Sequence, residues 1–250
     1  MSQIVIVTGG SRGIGAATAR LLGREKASVA VNYRKAKEEA NAVVRDIEAS
    51  GGRALAVQGD TGNEADMMRL FAEADRAFGP LTGLVNNAGI VGGQKRRIDA
   101  ITFAGAMEVM RTNVAGPLIC AREAIRRMST KAGGKGGAIV NVSSLGALTG
   151  SPNAFIDYAA SKGALDTMTI GLAAETADCG IRVNAVRPGL IDTEIHNEVG
   201  IPDRVKRFGP KMPIGRAGEA REVAEAIVWL LSDKASYVTG DFINVTGGAR

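Results

Sequence analysis

The sequence predicts an α/β fold: a doubly wound parallel sheet of about seven strands with helices on both faces, in a single domain spanning residues 1–250. Three observations predict it. Short aliphatic or β-branched runs bounded by Gly, Asp or Asn recur along the whole chain. Segments of helical period separate them. The alternation repeats often enough to require a parallel sheet covered on both faces, and right-handed crossovers then favour double winding. At 250 residues, one large domain can bury a full core without staples.

The first strand, Ile4 to Thr8, leads directly into Thr8-Gly9-Gly10-Ser11-Arg12-Gly13-Ile14-Gly15 and then a helix read with Ile14, Ala17 and Leu21 inward. Glycines at this junction permit a tight turn and let backbone amides approach a pyrophosphate at the helix N-terminus, as in dinucleotide-binding Rossmann folds. The spacing of Gly9, Gly13 and Gly15 is a stretched variant of that fingerprint, so a purely structural turn stays open. Gly9-Gly10-Ser11-Arg12-Gly13 also spells the nucleophile elbow of a serine hydrolase. Its place after the first strand argues against that reading, as does the sole histidine, His196, in a polar loop.

The second strand, Ser28 to Tyr33, ends Asn32-Tyr33-Arg34-Lys35 with no acid before Glu38. An acid there would hold a ribose 2′-hydroxyl; a guanidinium there can fork onto a 2′-phosphate. Arg34, with Arg12 in the turn, therefore favours NADP(H) over NAD(H). The third strand, Ala54 to Val57, precedes a helix whose stripe is Met67, Phe71, Ala74 and Phe78. Leu81 to Asn86 forms the fourth and runs into Asn87-Ala88-Gly89.

The fifth strand, Ala138 to Ser143, brings Ser143 and Ser144 to its carboxyl edge, where open α/β sheets bind ligands. Next comes Tyr158-Ala159-Ala160-Ser161-Lys162, which sets Tyr158 and Lys162 four apart on one helix face. An ammonium beside a phenol favours the phenolate, so the pair is either a plain helix surface or an acid–base catalyst whose tyrosine is lowered by its lysine. The sixth strand, Arg182 to Val186, ends in Arg187-Pro188-Gly189. A helix with Val223, Ile227, Leu230 and Leu231 inward precedes the last strand, Phe242 to Val245.

With these motifs at strand ends, the chain resembles the short-chain dehydrogenases/reductases nearly end to end. It is similar to 3-oxoacyl-[acyl-carrier-protein] reductases and to glucose and other sugar dehydrogenases. The turn matches that family's T-G-x-x-x-G-x-G, Asn86-Asn87-Ala88-Gly89 its N-N-A-G, Tyr158/Lys162 its Y-x-x-x-K, and Pro188-Gly189 with Thr193 its P-G-x-x-x-T. The resemblance implies hydride exchange between a nicotinamide and a carbonyl carbon. Tyr158 would carry the proton, Ser144 would bind the carbonyl oxygen, and Lys162 would hold the ribose. Asn113 would bind a relay water through its backbone. It implies further that Gly9 to Gly15, Asn32 to Arg34, Asp60, Thr61, Asn87 to Gly89, Pro188, Gly189, Ile191 and Thr193 meet the cofactor. The gap from Ser144 to Tyr158 is one residue longer than the family's, with the extra residue between Asn153 and Asp157 and Ser143 as the alternative serine. Members are commonly tetramers or dimers, and the small residues Ala159, Ala160, Gly163 and Ala164 suit close helix contacts.

Composition excludes other classes. Two cysteines, Cys120 and Cys179, make no disulfide framework, and one histidine with no C-x-x-C leaves no metal site. No apolar run approaches the roughly 18 residues of a membrane span, and the start lacks a signal peptide, so a cytoplasmic setting is expected. A net charge of +5 with 4% aromatics points away from nucleic acid. Glycine makes up 33 of 250 residues, nearly twice the usual ~7%, as many tight turns would require. Substrate choice is expected from Val91 to Arg97, Leu145 to Asp157 and a lid at 190–215 rich in Gly and Pro. Lys95, Arg96 and Arg97 are either a solvated run or an attractor for an anionic substrate. Arg122, Arg126, Arg127 and Lys131 are either a solvated face or a dock for an acyl-carrier protein bearing the substrate. Trp229 reads as core or interface. A carbonyl reductase, a non-catalytic dinucleotide sensor and a hydrolase are the three function classes, and the intact Ser/Tyr/Lys set favours the first.

Overall fold

A computed structural model describes residues 3–195 and 200–250; His196, read as an exposed lid residue, lies outside the described residues. The strands are β1 (Ile4–Val7), β2 (Ser28–Tyr33), β3 (Arg53–Gln58), β4 (Gly83–Asn86), β5 (Gly137–Val142), β6 (Ile181–Pro188), β7 (Ile191–Asp192), β8 (Gly218–Glu219) and β9 (Phe242–Val245). The α-helices are α1 (Gly13–Arg24), α2 (Lys37–Ala49), α3 (Glu64–Phe78), α4 (Phe103–Met110), α5 (Gly116–Met128), α6 (Gly146–Thr149), α7 (Ile156–Thr176), α8 (Arg204–Phe208) and α9 (Ala220–Leu231).

Seven strands form one parallel sheet in the order β3-β2-β1-β4-β5-β6-β9. The order reverses between β1 and β4, and the crevice above that switch point is where such sheets bind ligands. Alternation along β1 shows how both faces are buried: Val5 and Val7 enter one layer, Ile6 the other. The first layer adds Leu22, Ile47, Ile227 and Leu231 from α1, α2 and α9. The second adds Phe71, Leu70 and Met128 from α3 and α5. Each fully buried side chain of that size contributes about 1.5–3 kcal/mol.

The expected inward residues of α1 are only part of its contact surface, with Ile14 and Leu21 packed against the first layer. In α1 the buried residues are Gly15, Ala16, Thr18, Ala19, Leu22 and Gly23, while Ile14, Ala17 and Leu21 are half-buried. The helix approaches its neighbours so closely that small residues make the contact. A Cβ on Gly23 would stand 2.9 Å from Ile47. The stripes of α3 and α9 lie inward as read, with Phe78 half-buried at the edge. Trp229 is 39% exposed and so lies outside the core. Among the described residues, no helix is long and apolar enough to cross a membrane.

Beyond β6 the chain forms a second, two-stranded parallel sheet of β7 and β8. The Gly218 amide donates to the Leu190 carbonyl at 2.9 Å, so the two ends of the 190–215 segment are joined at its base. The adjoining start of α9 is fixed by a capping box between Glu219 and Glu222.

Candidate active site

The glycine-rich turn is built so tightly that side chains are excluded. Gly9 and Gly13 take φ values of 59° and 52°, the left-handed region that glycine enters at no steric cost. A Cβ on Gly15 would lie 2.4 Å from the Gly9 carbonyl oxygen. Thr8 locks the turn to β4: its hydroxyl accepts from the amides of Asn87 (3.0 Å) and Ala88 (3.1 Å) and donates to the Val85 carbonyl (3.2 Å). The Asn87 amide group donates to the carbonyls of Thr8 and Gly9 at 2.9 and 3.0 Å. Asn32 works from below, accepting from the Gly9 amide at 3.2 Å and donating to the Gly59 carbonyl at 3.0 Å. The result is a backbone cradle at the N-terminus of α1, the shape and polarity a pyrophosphate needs.

A cleft of about 960 Å³ runs from this cradle across the sheet edge. Gly9, Ser11, Arg12, Gly13, Ile14, Asn32, Tyr33, Arg34, Asp60 and Thr61 line one end. Asn87, Ala88, Gly89, Ser144, Tyr158, Lys162, Pro188, Gly189, Ile191 and Thr193 line the rest. Gly15 and Asn113 do not reach the wall. The first packs beneath the turn, and the second stands behind Gly89, where a Cβ would come 3.4 Å from both Asn113 Oδ1 and Lys162 Nζ. At the far end Arg34 and Lys35 are exposed at the mouth. The Asp60 carboxylate is already engaged, accepting from the Gly62 amide at 2.9 Å and from Arg111 at 3.3 Å. The Asp60 amide and Arg69 together hold Asp66 below the usual carboxylate range.

Between α4 and α5 the chain widens into a π-turn, Arg111–Ala115, an irregularity that recurs at functional sites. It carries Asn113, whose side chain binds both the amide and the carbonyl of Ile90, at 2.9 and 2.8 Å, and donates to Ser161 Oγ at 3.0 Å. This ties the segment after β4 to α7.

Tyr158 and Lys162 share one face of α7, with Lys162 Nζ 5.6 Å from the phenol ring centroid. The ammonium donates to the Val142 carbonyl at 2.7 Å. Burial lowers Lys162 to about 8, against a smaller upward pull from Asp166. Burial also raises the Tyr158 phenol above its ordinary 10, outweighing downward pulls from Ser144 and Arg204. The expectation that Lys162 lowers the tyrosine is therefore corrected for the chain by itself. The ammonium is directed at a main-chain carbonyl, and desolvation of the phenolate wins.

The two serines have different surroundings. Ser143 is buried and its hydroxyl donates to the Lys162 carbonyl at 3.3 Å. Ser144 accepts from the Gly146 amide at 3.0 Å and interacts with the Tyr158 phenol. The longer segment before Tyr158 turns through Ser151 and Asn153, at φ 44° and 58°.

The basic runs are largely paired within the chain. Arg96 pairs with the buried Asp157, and Arg97 with Asn153 and Asp99. Arg122 meets Glu64 and Glu123, Arg126 meets Glu123, Arg127 meets Asp75 and Glu123, and Lys131 meets Asp178. Sequence reasoning missed Thr8 as a strut, although it stands inside the quoted motif. It named Leu190, Glu194, Arg204, Phe208 and Met212 only as part of the 190–215 lid, and all five line the cleft. No pattern marks these, because side chains from separate turns of the lid converge only in space.

Comparison with known proteins agrees with this geometry. Residues 9–250 match the family model described as Enoyl-(Acyl carrier protein) reductase. The chain belongs to the short-chain dehydrogenase/reductase family. It is an NAD(P)-dependent oxidoreductase of that family, acting on alcohol and carbonyl groups. It is 52% identical to the uncharacterized oxidoreductase YgfF of Escherichia coli (strain K12), covering 98% of this chain and 99% of that one. It is 40% identical to a cis-4-hydroxycyclohexanecarboxylate dehydrogenase of Sinomonas cyclohexanicum, over 98% and 96%. The crystal structure of a short-chain dehydrogenase from Burkholderia cenocepacia J2315 in complex with NADP superposes with a TM-score of 0.88 at 35% identity, covering 98% and 97%. The hydrolase reading of Gly9-x-Ser11-x-Gly13 gives way to this family.

Proposed function

We propose that this enzyme is an NADP-dependent reductase or dehydrogenase that interconverts a carbonyl and a secondary alcohol, with Tyr158 as acid and base. The observation that carries the reading is the convergence of Ser144, Tyr158 and Lys162 on one cleft with the glycine cradle. When bound, the nicotinamide supplies a hydride to the carbonyl carbon or takes one back. In reduction, Tyr158 gives its phenolic proton to the oxygen; in oxidation, its phenolate removes that proton. Ser144, already beside the phenol, donates to the oxygen where negative charge develops. Lys162, which lines the same cleft, would hold the ribose as the family resemblance implies, and its charge would offset the phenolate that reduction leaves behind. Asn113 keeps Ile90 and Ser161 in register, and its backbone, in the π-turn, supplies the relay-water site that the family resemblance implies.

Preference for NADP(H) over NAD(H) is supported by Arg34 and Lys35 at the end of β2 and by the NADP complex of the Burkholderia relative. A secondary alcohol as partner is supported by the hydroxy compound in the name of the Sinomonas relative. Residues 190–215 act as the substrate lid. Association into a dimer or tetramer is supported by the exposed apolar residues Phe103 (82% exposed), Met107 and Leu118 on α4 and α5.

A panel of ketones, sugars and acyl thioesters, followed by NADPH absorbance with NADH as control, tests the reading. Tyr158→Phe should remove turnover by a factor on the order of 10²–10⁴ while binding NADPH nearly as well. Full turnover by that variant would sink the mechanism, and binding without any turnover in the parent would favour a sensor.

A further inference from the structure

The reacting end of the cleft holds one charge that proton and hydride transfer do not use. Arg204 opens α8 and lines the cleft with Phe155, Tyr158, Leu190 and Met212. Its guanidinium carbon lies 5.9 Å from the Phe155 ring centroid, near the outer limit of a useful cation–π contact. Burial pulls the guanidinium below its ordinary value, with Tyr158 the only opposing influence. The acids next to it in the chain, and the one acid of the cleft's lid side, are directed elsewhere. Asp157 holds Arg96, Asp203 meets Arg207 at 3.7 Å, and the Glu194 carboxylate sits beside Gly13, 3.7 Å from where a Cβ would stand. Among the described residues, no carboxylate pairs with Arg204. A half-buried guanidinium with no carboxylate paired to it among the described residues bears a desolvation cost that a bound anion removes.

We propose that Arg204 receives a carboxylate of the substrate, so that this enzyme acts on hydroxy acids and oxo acids whose acid group lies a short carbon spacer from the reacting carbon. The inference rests on the reductase reading and adds its substrate class. The planar fork of a guanidinium matches both oxygens of a carboxylate, which orients the substrate as well as binding it. Phe155, Leu190 and Met212 give the spacer apolar walls. Arg204 also favours the Tyr158 phenolate. A bound acid that neutralises it removes one of the pulls toward the phenolate.

The test compares 4-oxopentanoate, 5-oxohexanoate and 3-oxocyclohexanecarboxylate with their methyl esters, using the full chain and NADPH. At least one acid should exceed its ester in kcat/KM by on the order of 10- to 100-fold, the range of a charge-assisted hydrogen-bonded pair. Arg204→Gln should erase that advantage, lowering kcat/KM for the acid at least about tenfold more than for its ester, and Arg204→Lys should restore part of it. Equal treatment of every acid and its ester by the parent overturns the inference, as does an Arg204→Gln variant that slows both alike. Calorimetric titration of the same acids onto the NADP-loaded protein separates the two readings. Binding lost in Arg204→Gln without any turnover upholds the carboxylate site and removes the reductase reading. Turnover of acids and esters indifferent to Arg204 does the reverse.

Discussion

Lys162 directs its ammonium to the Val142 carbonyl at 2.7 Å while lying 5.6 Å from the centre of the Tyr158 ring. The lysine is thus anchored to the end of β5 before any ligand arrives. It is a buried cation held by one neutral acceptor, with Asp166 as a more distant counterweight.

That arrangement predicts a pH dependence of stability. Lys162 is lowered from 10.5 to about 8 in the fold, so between pH 8 and 10 the unfolded chain holds a proton that the folded one has released. Stability contributed by this group therefore rises with pH through that window. Relative to Lys162→Met, the parent should gain about 2–3 kcal/mol between pH 8 and 10. Denaturant unfolding of both proteins at several pH values measures the difference, and parallel curves would refute it.

The tyrosine should titrate late. In the chain without ligands, the Tyr158 phenolate should appear only above the ordinary value near 10, since burial outweighs the pulls of Ser144 and Arg204. Ser144→Ala and Arg204→Gln should each push it higher still. Ultraviolet difference titration against Tyr158→Phe isolates the signal from Tyr33 and Tyr237, and ionisation near neutral pH would contradict the expectation.

Two glycine-to-alanine changes should have opposite effects. At Gly15 a Cβ would meet the Gly9 carbonyl oxygen at 2.4 Å, so Gly15→Ala should cost about 1–3 kcal/mol and weaken NADPH binding. At Gly163, inside α7, a Cβ would meet nothing within 4 Å, so Gly163→Ala should stabilise by about 0.5–1 kcal/mol. Thermal unfolding and NADPH fluorescence titration check both.

Thr8→Val keeps the shape of Thr8 but deprives the Ala88 amide of its acceptor and the Asn87 amide of one of two, since the latter also donates to the Val85 carbonyl at 3.1 Å. Leaving such a donor unsatisfied costs about 1–3 kcal/mol, and the loss should appear as lower stability and looser NADPH binding together. A variant with unchanged midpoint would show that the hydroxyl is not a strut.

Cofactor choice should shift with the exposed cations at the mouth. Replacing Arg34 and Lys35 by Ser should raise KM for NADPH by roughly tenfold, about one charge-assisted contact, while leaving NADH little changed. Steady-state kinetics with both cofactors decides it.

The sheet was legible because burial on both faces forces continuous aliphatic runs; β2 and β9 span the residues that those runs delimit. The Tyr158/Lys162 pair was legible because four residues is one helical turn. The full contact face of α1 was not, since close approach favours small residues such as Gly23 over the large ones a periodicity argument follows. Asn32 reads in sequence as one more polar residue near a cofactor, yet it is 1% exposed and spans Gly9 and Gly59. Arg204 is one of three cations within Arg204-Val205-Lys206-Arg207, and only its place over Phe155 separates it from the others.

The bond from Gly218 to Leu190 has a consequence for how this molecule can change. Both feet of the intervening segment are pinned by β7 and β8, so a change in its length starts from ends that are already fixed. Lengthening a loop whose ends are already fixed adds only about 0.6 kcal/mol of closure entropy per doubling. New chemistry at the mouth of the cleft can therefore be tried by insertion or deletion there, while the machinery of proton and hydride exchange stays where it is.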